Sequence, residues 1–198
     1  MDNIVEAFVT PLYYNQVDHM ERIQEEIAEF ITEHPKLIGN PPQEWNETVH
    51  TSFSYAEDRS KTLLLYHMPT LANQIIVNTR CYLEKIGNKH PYIITIDDMW
   101  VNIYKKNDYM NTHDHKDADI SGVYYYKTNT QDGDTVFSNP CDVMQYTKLL
   151  GDIEGSKLKV TPNEGKLILF PAWLKHSVNR NTTDDDRVSV TFNIKLSR

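Results

Sequence analysis

The sequence predicts a mainly β fold, an antiparallel sandwich or barrel with two helices packed on its outside. From residue 91 onward, short runs rich in β-branched and aromatic residues alternate with Asn, Asp, Gly and Pro, which favour turns. Before residue 91, two stretches place apolar residues three or four positions apart, as amphipathic helices do. We therefore expect one domain, in which a helical segment (residues 1–90) supports a β core (residues 91–198).

The first predicted helix follows a short extended segment that contains Ile4, Val5, Phe8 and Val9. Asp18 and Glu21 have the spacing of a capping box, which marks a helix start. The apolar residues of the helix are Ile23, Ile27, Phe30 and Ile31. We expect the helix to end near His34 and Pro35.

The second predicted helix lies beyond a loop over residues 39–60, which contains a short strand around residues 49–55. Pro69 suits the first turn of a helix, and Gly87 suits the position just past its end. Between them, apolar residues from Leu71 to Ile86 recur at helical spacing.

Six runs after residue 91 are predicted strands. They are YIITIDDMWVNIY (92–104), ISGVYYYKT (120–128), DTVFSN (134–139), KLKVTP (157–162), GKLILFPA (165–172) and RVSVTFNIKL (187–196). Turn residues separate them, as in antiparallel sandwiches and barrels.

Composition excludes several classes of function. The chain has 198 residues, of which 39% are hydrophobic, enough for one sizeable core. Its net charge of −8 and the absence of a basic block argue against nucleic acid as a partner. No apolar stretch is long enough to span a membrane. Two isolated cysteines and an acidic N-terminus unlike a secretory signal predict a cytoplasmic protein.

A cluster of histidines and aspartates precedes the second predicted strand, in the sequence HDHKDAD (113–119). On an extended chain, alternate side chains share a side, so His113, His115 and Asp117 could all face one metal ion. Imidazole and carboxylate together suit iron, zinc, manganese or nickel, and two histidines with one carboxylate suit non-haem Fe(II). The alternative is a solvated polar loop.

A second cluster lies near the C-terminus. His176 begins a strand after GKLILFPAWLK, and Arg187, Ser189 and Thr191 share one face of the last strand by alternation. An arginine that faces inward needs an anion, because a buried guanidinium is costly without a paired partner. The alternative is that Arg187 faces outward and forms a surface ion pair at the end of the acidic run DDDR.

Six stretches in this order carry a family resemblance: WVNIY, HDH, SGVYYY, DGDTVF, GKLILFPAWLKH and RVSVTFN. Over roughly residues 95–196, the chain resembles the iron(II)/2-oxoglutarate-dependent dioxygenase superfamily. It is most similar to a branch of small oxygenases, common in bacteriophages and marine bacteria, that is related to the prolyl 4-hydroxylases. The resemblance implies a double-stranded β-helix, or jelly roll, with N-terminal helices outside it and a metal site at its open end.

The resemblance also implies a ligand set for Fe(II). The proximal histidine of the superfamily maps onto His113 and the distal one onto His176. The identity of the third ligand is undecided between two residues. His115 occupies the acid position when the motif starts at His113, whereas Asp117 does so when the motif starts at His115. Because the similar branch carries H-x-H before its SGVYY motif, we favour His113, His115 and His176 and keep Asp117 as the rival.

A site for 2-oxoglutarate is implied by the same resemblance. Arg187 matches the arginine that pairs with the distal carboxylate, and Ser189 matches the hydroxyl that supports it. Tyr104 resembles a tyrosine that contacts the same carboxylate, with core packing as the alternative. Asn102 faces inward by alternation and would line the pocket or bond to buried backbone.

The implied reaction is oxidation of a peptidyl or small-molecule substrate by dioxygen, coupled to decarboxylation of 2-oxoglutarate to succinate, and hydroxylation is the form we expect. A homodimer is a further expectation. Two other classes stay open: a cupin-like metal enzyme that does not use 2-oxoglutarate, and a binding or assembly protein that keeps the fold without catalysis.

Overall fold

Helices dominate the first half of the chain in a computed structural model, which describes residues 9–45, 47–56, 63–141 and 157–198. The elements of this half are β1 (Tyr13–Gln16), α1 (Met20–Glu33), β2 (His50–Thr51), α2 (Phe53–Ala56), α3 (Leu63–His67) and α4 (Pro69–Lys85). Residues 35–37 and 43–45 form single turns of 3-10 helix.

Strands make up the second half. They are β3 (Ile93–Tyr104), β4 (Met110–His113), β5 (Ile120–Lys127), β6 (Thr135–Ser138), β7 (Lys157–Val160), β8 (Lys166–Pro171), β9 (His176–Val178) and β10 (Arg187–Ser197). All six predicted strands are therefore confirmed, and each is shifted by at most a few residues.

The strands form two antiparallel sheets. One has the order β1-β8-β5-β10-β3-β2 and the other the order β4-β9-β6-β7. Strands that are distant in sequence pair within each sheet, so the chain crosses repeatedly between the two layers, which is the jelly-roll arrangement. The predicted fold class is confirmed.

Strand β10 lies at the centre of the larger sheet, between β5 and β3. Its side chains divide between the two faces of that sheet. On the face covered by the helices lie Val188, Val190, Phe192 and Ile194. On the face turned toward the smaller sheet lie Arg187, Ser189, Thr191 and Asn193. The alternation predicted for this strand is confirmed, and it sends four polar side chains into the space between the sheets.

Helices α1 and α4 cover the outer face of the larger sheet. Ile23 and Ile27 of α1 and Leu71 and Ile75 of α4 are fully buried in a cluster shared with β3, β5, β8 and β10. The bounds of α4 agree with the start at Pro69 and the end before Gly87 that the sequence predicts.

Helix α1 ends at Glu33, just before His34 and Pro35, as predicted, but its predicted capping box is wrong. The N-cap residue is His19, which has a left-handed conformation (φ 59°), and its side chain makes no capping hydrogen bond. The N–H of Val17 donates to the carbonyl of Gly165. Because this bond ties the chain to the sheet up to that point, the turn into the helix falls at residue 19, one position after Asp18.

Several short elements carry no periodicity that the sequence could reveal, namely β1, β4, α2 and α3. The strand expected around residues 49–55 is shorter than predicted and consists of β2 (His50–Thr51). Ile4, Val5 and Phe8 of the predicted N-terminal segment lie outside the described residues. None of the described helices is long and apolar enough to cross a membrane.

Candidate active site

A cavity of about 1160 Å³ lies between the two sheets. Side chains from β3 and β10 line one side of it, and side chains from β4, β6 and β9 line the other. This volume is large enough to hold a small ligand together with part of a substrate. The cavity contains all the residues that the sequence predicts for the metal and for 2-oxoglutarate.

Three histidines converge in this cavity. His113 at the end of β4 lies directly opposite His176 at the start of β9 in the antiparallel register. His115 follows β4, and its backbone N–H donates to the carbonyl of Ala172, which holds it beside the other two. One ring nitrogen from each histidine lies within 4.8 Å of the others. This spacing suits a single metal ion bound by three imidazoles.

Backbone carbonyls orient two of the rings. Nδ1 of His113 lies 2.8 Å from the carbonyl oxygen of Asn111, and Nδ1 of His176 lies 2.9 Å from that of Leu174. A carbonyl can only accept, so Nδ1 carries the proton and Nε2 keeps its lone pair. Nε2 of His115 is buried and has no hydrogen-bond partner among the described residues. The rings therefore present free lone pairs to a metal.

Burial keeps these imidazoles neutral. It lowers the pKa of His113, lowers that of His115 to about 3, and lowers that of His176 well below its ordinary value. The proximity of the rings to one another adds to the effect for His115 and His176, because neighbouring imidazolium charges would repel. Neutral imidazole is the form that binds metal ions.

Asp117 lies outside the group of three ligand nitrogens. Its side chain is exposed and lines the same cavity, but its carboxylate is not part of the cluster whose atoms approach within 4.8 Å. The geometry among the described residues thus favours the set His113, His115 and His176.

Arg187 is one of the most deeply buried side chains, with 1% of its surface exposed. Its Nη1 donates to the carbonyl of Gly133 at 2.6 Å, and its Nη2 donates to Oγ1 of Thr135 at 3.2 Å. The guanidinium carbon lies 5.1 Å from the ring centre of Tyr104 and 5.2 Å from that of Tyr125. The alternative of an outward-facing Arg187 in a surface ion pair is wrong.

No carboxylate among the described residues forms an ion pair with Arg187, and its Nε has no hydrogen-bond partner there. A buried charge without a counterion is costly, and proteins normally pair it. Arg187 lines the cavity. Hydrogen bonds to Gly133 and Thr135 fix the guanidinium in position, and this arrangement would suit a small anion.

The remaining predicted pocket residues lie along the same wall. Ser189 and Asn102 are paired across β10 and β3, and both are 2% exposed. The amide nitrogen of Asn102 donates to Oγ1 of Thr191 at 3.0 Å. Tyr104 lies opposite Arg187 in the register, and its hydroxyl contacts the sulfur of Met110 at 3.8 Å. All of them line the cavity.

Sequence reasoning missed several cavity residues. Thr135, which holds Arg187, belongs to the stretch DGDTVF, and the part of this stretch in the family resemblance was the available signal. Trp45, Glu47 and Phe53 also line the cavity. They belong to a segment without periodicity, and they reach the cavity only because β2 pairs with the edge of β3.

The comparisons with known proteins agree with this geometry. Residues 98–193, which contain every predicted site residue, match a family described as "Putative 2OG-Fe(II) oxygenase". Over these residues, slightly less than half of the chain, the protein is similar to the 2-oxoglutarate/Fe(II) oxygenases. No curated protein matches the chain.

Solved oxygenases share the fold. A Pseudomonas putida prolyl-4-hydroxylase is 13% identical with a TM-score of 0.59, covering 96% of this chain and 94% of that one. A Trichoplax adhaerens prolyl hydroxylase, solved with a hypoxia inducible factor peptide fragment, is 14% identical with a TM-score of 0.59 over 93% and 83%. HygX from Streptomyces hygroscopicus, solved with nickel, 2-oxoglutarate and hygromycin B, is 12% identical with a TM-score of 0.56 over 94% and 83%.

Proposed function

We propose that the protein is an Fe(II)- and 2-oxoglutarate-dependent oxygenase. One observation carries the proposal: Arg187 is a buried guanidinium with no carboxylate partner among the described residues, in the same cavity as three converging neutral histidines. A metal site alone would be compatible with many enzymes. A metal site together with a buried, unpaired cation fits a dicarboxylic cosubstrate that binds the metal at one end and the arginine at the other.

The residues present fit a bound Fe(II). His113, His115 and His176 would hold it through nitrogens whose lone pairs are free, and the backbone carbonyls of Asn111 and Leu174 orient two of the rings. Three neutral ligands leave the full charge of the ion uncompensated, which strengthens its attraction for an anionic cosubstrate. Asp117 stays the rival third ligand, although its carboxylate lies outside the cluster of ligand atoms.

The pocket residues would each have a distinct task. Arg187 would bind the distal carboxylate of 2-oxoglutarate, with Ser189 and Tyr104 as additional hydrogen-bond donors. Gly133 and Thr135 hold the guanidinium in place beforehand, so little ordering is needed when the anion binds. When bound, iron and 2-oxoglutarate supply the oxidising power for substrate oxidation by dioxygen, with decarboxylation to succinate.

For the substrate, we propose only a general class. A peptidyl or small-molecule substrate that is hydroxylated fits the size of the cavity, and a solved neighbour of the same fold carries a peptide fragment. A cytoplasmic location is supported by two free cysteines, Cys81 and Cys141. A homodimer and an origin in bacteriophages also stay proposals.

The test is an anaerobic titration of the Fe(II)-loaded protein with 2-oxoglutarate, monitored by the weak visible absorption band that bidentate chelation of Fe(II) produces. We expect a saturable band in the wild type. In His176→Ala we expect neither bound iron nor a band. Bound iron without a band in the wild type would reject 2-oxoglutarate as cosubstrate and favour a cupin-like enzyme, and no bound iron would reject a metal enzyme altogether.

The same titration identifies the third ligand. We expect His115→Ala to lose the band and Asp117→Ala to keep it, because only His115 lies in the cluster of ligand nitrogens. Loss of the band in both variants would assign the site to His115, Asp117 and His176, and loss in Asp117→Ala alone would assign it to His113, Asp117 and His176.

A further inference from the structure

Negative charge predominates in the cavity beyond the proposed cosubstrate site. Five carboxylates line the cavity, namely Glu47, Asp97, Asp98, Asp114 and Asp117. Three cations line it as well, Lys116, Arg187 and Lys195. Arg187 belongs to the proposed cosubstrate site, and Lys195 forms an ion pair with Asp97 at 3.0 Å. A bound Fe(II) and a 2-oxoglutarate dianion would cancel each other, so the excess of negative charge would persist in the loaded enzyme.

Apart from Nε2 of His115, three hydrogen-bond acceptors in this cavity lack partners among the described residues. Oε2 of Glu47, Oδ1 of Asp114 and Oδ1 of Asn102 are each buried and unpaired. The case of Asn102 is the most telling, because the residue is 2% exposed and its amide nitrogen is already used by Thr191. Buried acceptors are normally satisfied, so this set is complementary to a ligand that brings several N–H donors.

Glu47 is held in place rather than free to turn away. Its Oε1 accepts the backbone N–H of Asn111 at 2.8 Å, which leaves Oε2 as the unpaired oxygen. Asn111 lies two residues before the proposed ligand His113. The carboxylate therefore has a fixed position relative to the metal site.

An aromatic row connects the segment of Glu47 to the histidines. The ring centres of Trp45 and Phe53 are 4.6 Å apart, those of Phe53 and Trp100 are 5.0 Å apart, and those of Trp100 and His115 are 6.0 Å apart. Aromatic faces next to carboxylates attract organic cations, whose charge is stabilised by the rings and whose methylene groups pack on them.

We propose that the substrate carries an organic cation, an ammonium or guanidinium group, and that Glu47 binds this group at the end of the row formed by Trp45, Phe53 and Trp100. The inference rests on the proposed function, since it names the substrate class of that site. A chain lying along the row would place its cation at Glu47 and direct carbon atoms further along it toward His115. Glu47 is thus a specificity-determining residue, and the metal and 2-oxoglutarate are bound without it.

Direct binding tests the proposal without requiring turnover. The probes are spermidine and a Gly-Lys-Gly peptide blocked at both ends, and the neutral control is the same peptide with norleucine in place of lysine. Binding to the Fe(II)-loaded protein with 2-oxoglutarate, kept anaerobic, is followed by tryptophan fluorescence and isothermal titration calorimetry. The Glu47→Gln variant can keep the hydrogen bond from Asn111 while losing the charge. Glu25→Gln, an exposed residue of α1, is the matched control.

We expect at least one cationic probe to saturate and the norleucine peptide not to. The dissociation constant of that cationic probe should rise about five-fold or more in Glu47→Gln and stay unchanged in Glu25→Gln. Tighter binding of spermidine would identify a free amine as the source of the cation, and tighter binding of the lysyl peptide a protein side chain. In a second variant, Trp45→Leu, the same probe should bind more weakly because the aromatic face is lost.

The proposal is overturned if neither cationic probe saturates, if the norleucine peptide binds as well as the lysyl peptide, or if Glu25→Gln weakens binding as much as Glu47→Gln. These outcomes are distinct from failure of the proposed function. In each of them the visible band of the Fe(II) and 2-oxoglutarate complex can still form, whereas loss of that band with cation binding intact would reject the oxygenase and retain the cation site.

Discussion

Arg187 and Glu47 are charged residues of opposite sign in the same cavity, and they are stabilised in different ways. Arg187 is almost fully buried but makes two hydrogen bonds to the protein. Glu47 accepts one backbone hydrogen bond, and burial raises its pKa from 4.5 to about 7. The surroundings of Arg187 suit an anion. The charged form of the Glu47 carboxyl group is disfavoured unless a cation lies close to it.

For Arg187, we predict that Arg187→Met weakens 2-oxoglutarate binding by about 30-fold or more, equivalent to about 2 kcal/mol, because paired and charged hydrogen bonds are lost. Calorimetric titration of the Fe(II)-loaded protein measures the affinity. Iron binding should be retained, since Arg187 is not one of the proposed iron ligands. The control is Arg180→Met, an exposed arginine that lies over Tyr109. Equal affinity in both variants would remove Arg187 from the cosubstrate site.

For Glu47, the raised pKa predicts a dependence of stability on pH. Between pH 4.5 and about 7, the folded protein retains a proton that the unfolded chain has released, so the contribution of Glu47 to stability falls as the pH rises. Glu47→Gln has no such proton. The free energy of unfolding of Glu47→Gln minus that of the wild type should therefore increase between pH 4.5 and about 7 and stay constant at higher pH.

Urea unfolding of the metal-free protein at several pH values measures this difference, with Glu25→Gln as the control for the general effect of the substitution. A difference between Glu47→Gln and the wild type that stays constant with pH would show that the carboxyl group of Glu47 is ionised throughout.

At the scale of elements, the start of α4 depends on another helix. Its N-cap residue, Met68, has no side chain able to cap it. Glu26 of α1, which is 1% exposed, replaces the missing cap: its carboxylate accepts the backbone N–H and the hydroxyl of Thr70, the latter at 2.6 Å. The carboxylate also lies at the positive end of the helix dipole. One side chain thus joins the two helices that cover the sheet.

We therefore predict that Glu26→Ala lowers the free energy of unfolding by about 2–4 kcal/mol, since it leaves partly buried donors of α4 unpaired and opens a cavity. Glu29→Ala, an exposed position one turn away on the same helix, should cost no more than about 0.5 kcal/mol. Chemical denaturation of both variants measures the contrast, and similar losses would mean that Glu26 does not link α1 to α4.

At the scale of the whole molecule, the helices and the larger sheet share one core. The buried cluster contains Phe30 of α1, Tyr82 of α4, Val101 of β3 and Phe192 of β10. Neither part could keep its apolar side chains from water without the other. This supports the proposal that residues 1–90 and 91–198 form one domain.

One domain should unfold in one step. We predict that the loss of helical signal in circular dichroism coincides with the change in tryptophan fluorescence, which reports on Trp45 and Trp100 at the cavity and on the exposed Trp173. Binding of Fe(II) and 2-oxoglutarate should shift both curves together to higher denaturant concentration. Two separate transitions, with only the later one shifted by ligand, would contradict a single domain.

Much of the fold and of the site could be predicted, because it follows from short-range patterns. Alternation along β10 placed Arg187, Ser189 and Thr191 on one face, and helical spacing located α1 and α4. The capping box of α1 failed because contacts with the sheet, rather than local capping preferences, determine where that helix begins. The short strand β4 was missed because four residues carry too little periodicity.

The sequence by itself determined the fold class, the inward face of β10 and the residue types of a metal and anion site. Only the tertiary structure decided which of these residues meet. His113 and His176 face each other because β4 pairs with β9, and Glu47 enters the cavity because β2 pairs with β3. The proposed choice of His115 over Asp117 depends on distances between segments far apart in the chain. So do two observations on the described residues, the lack of a carboxylate partner for Arg187 and the unpaired acceptors of the cavity. Such distances follow from packing and not from local sequence preferences.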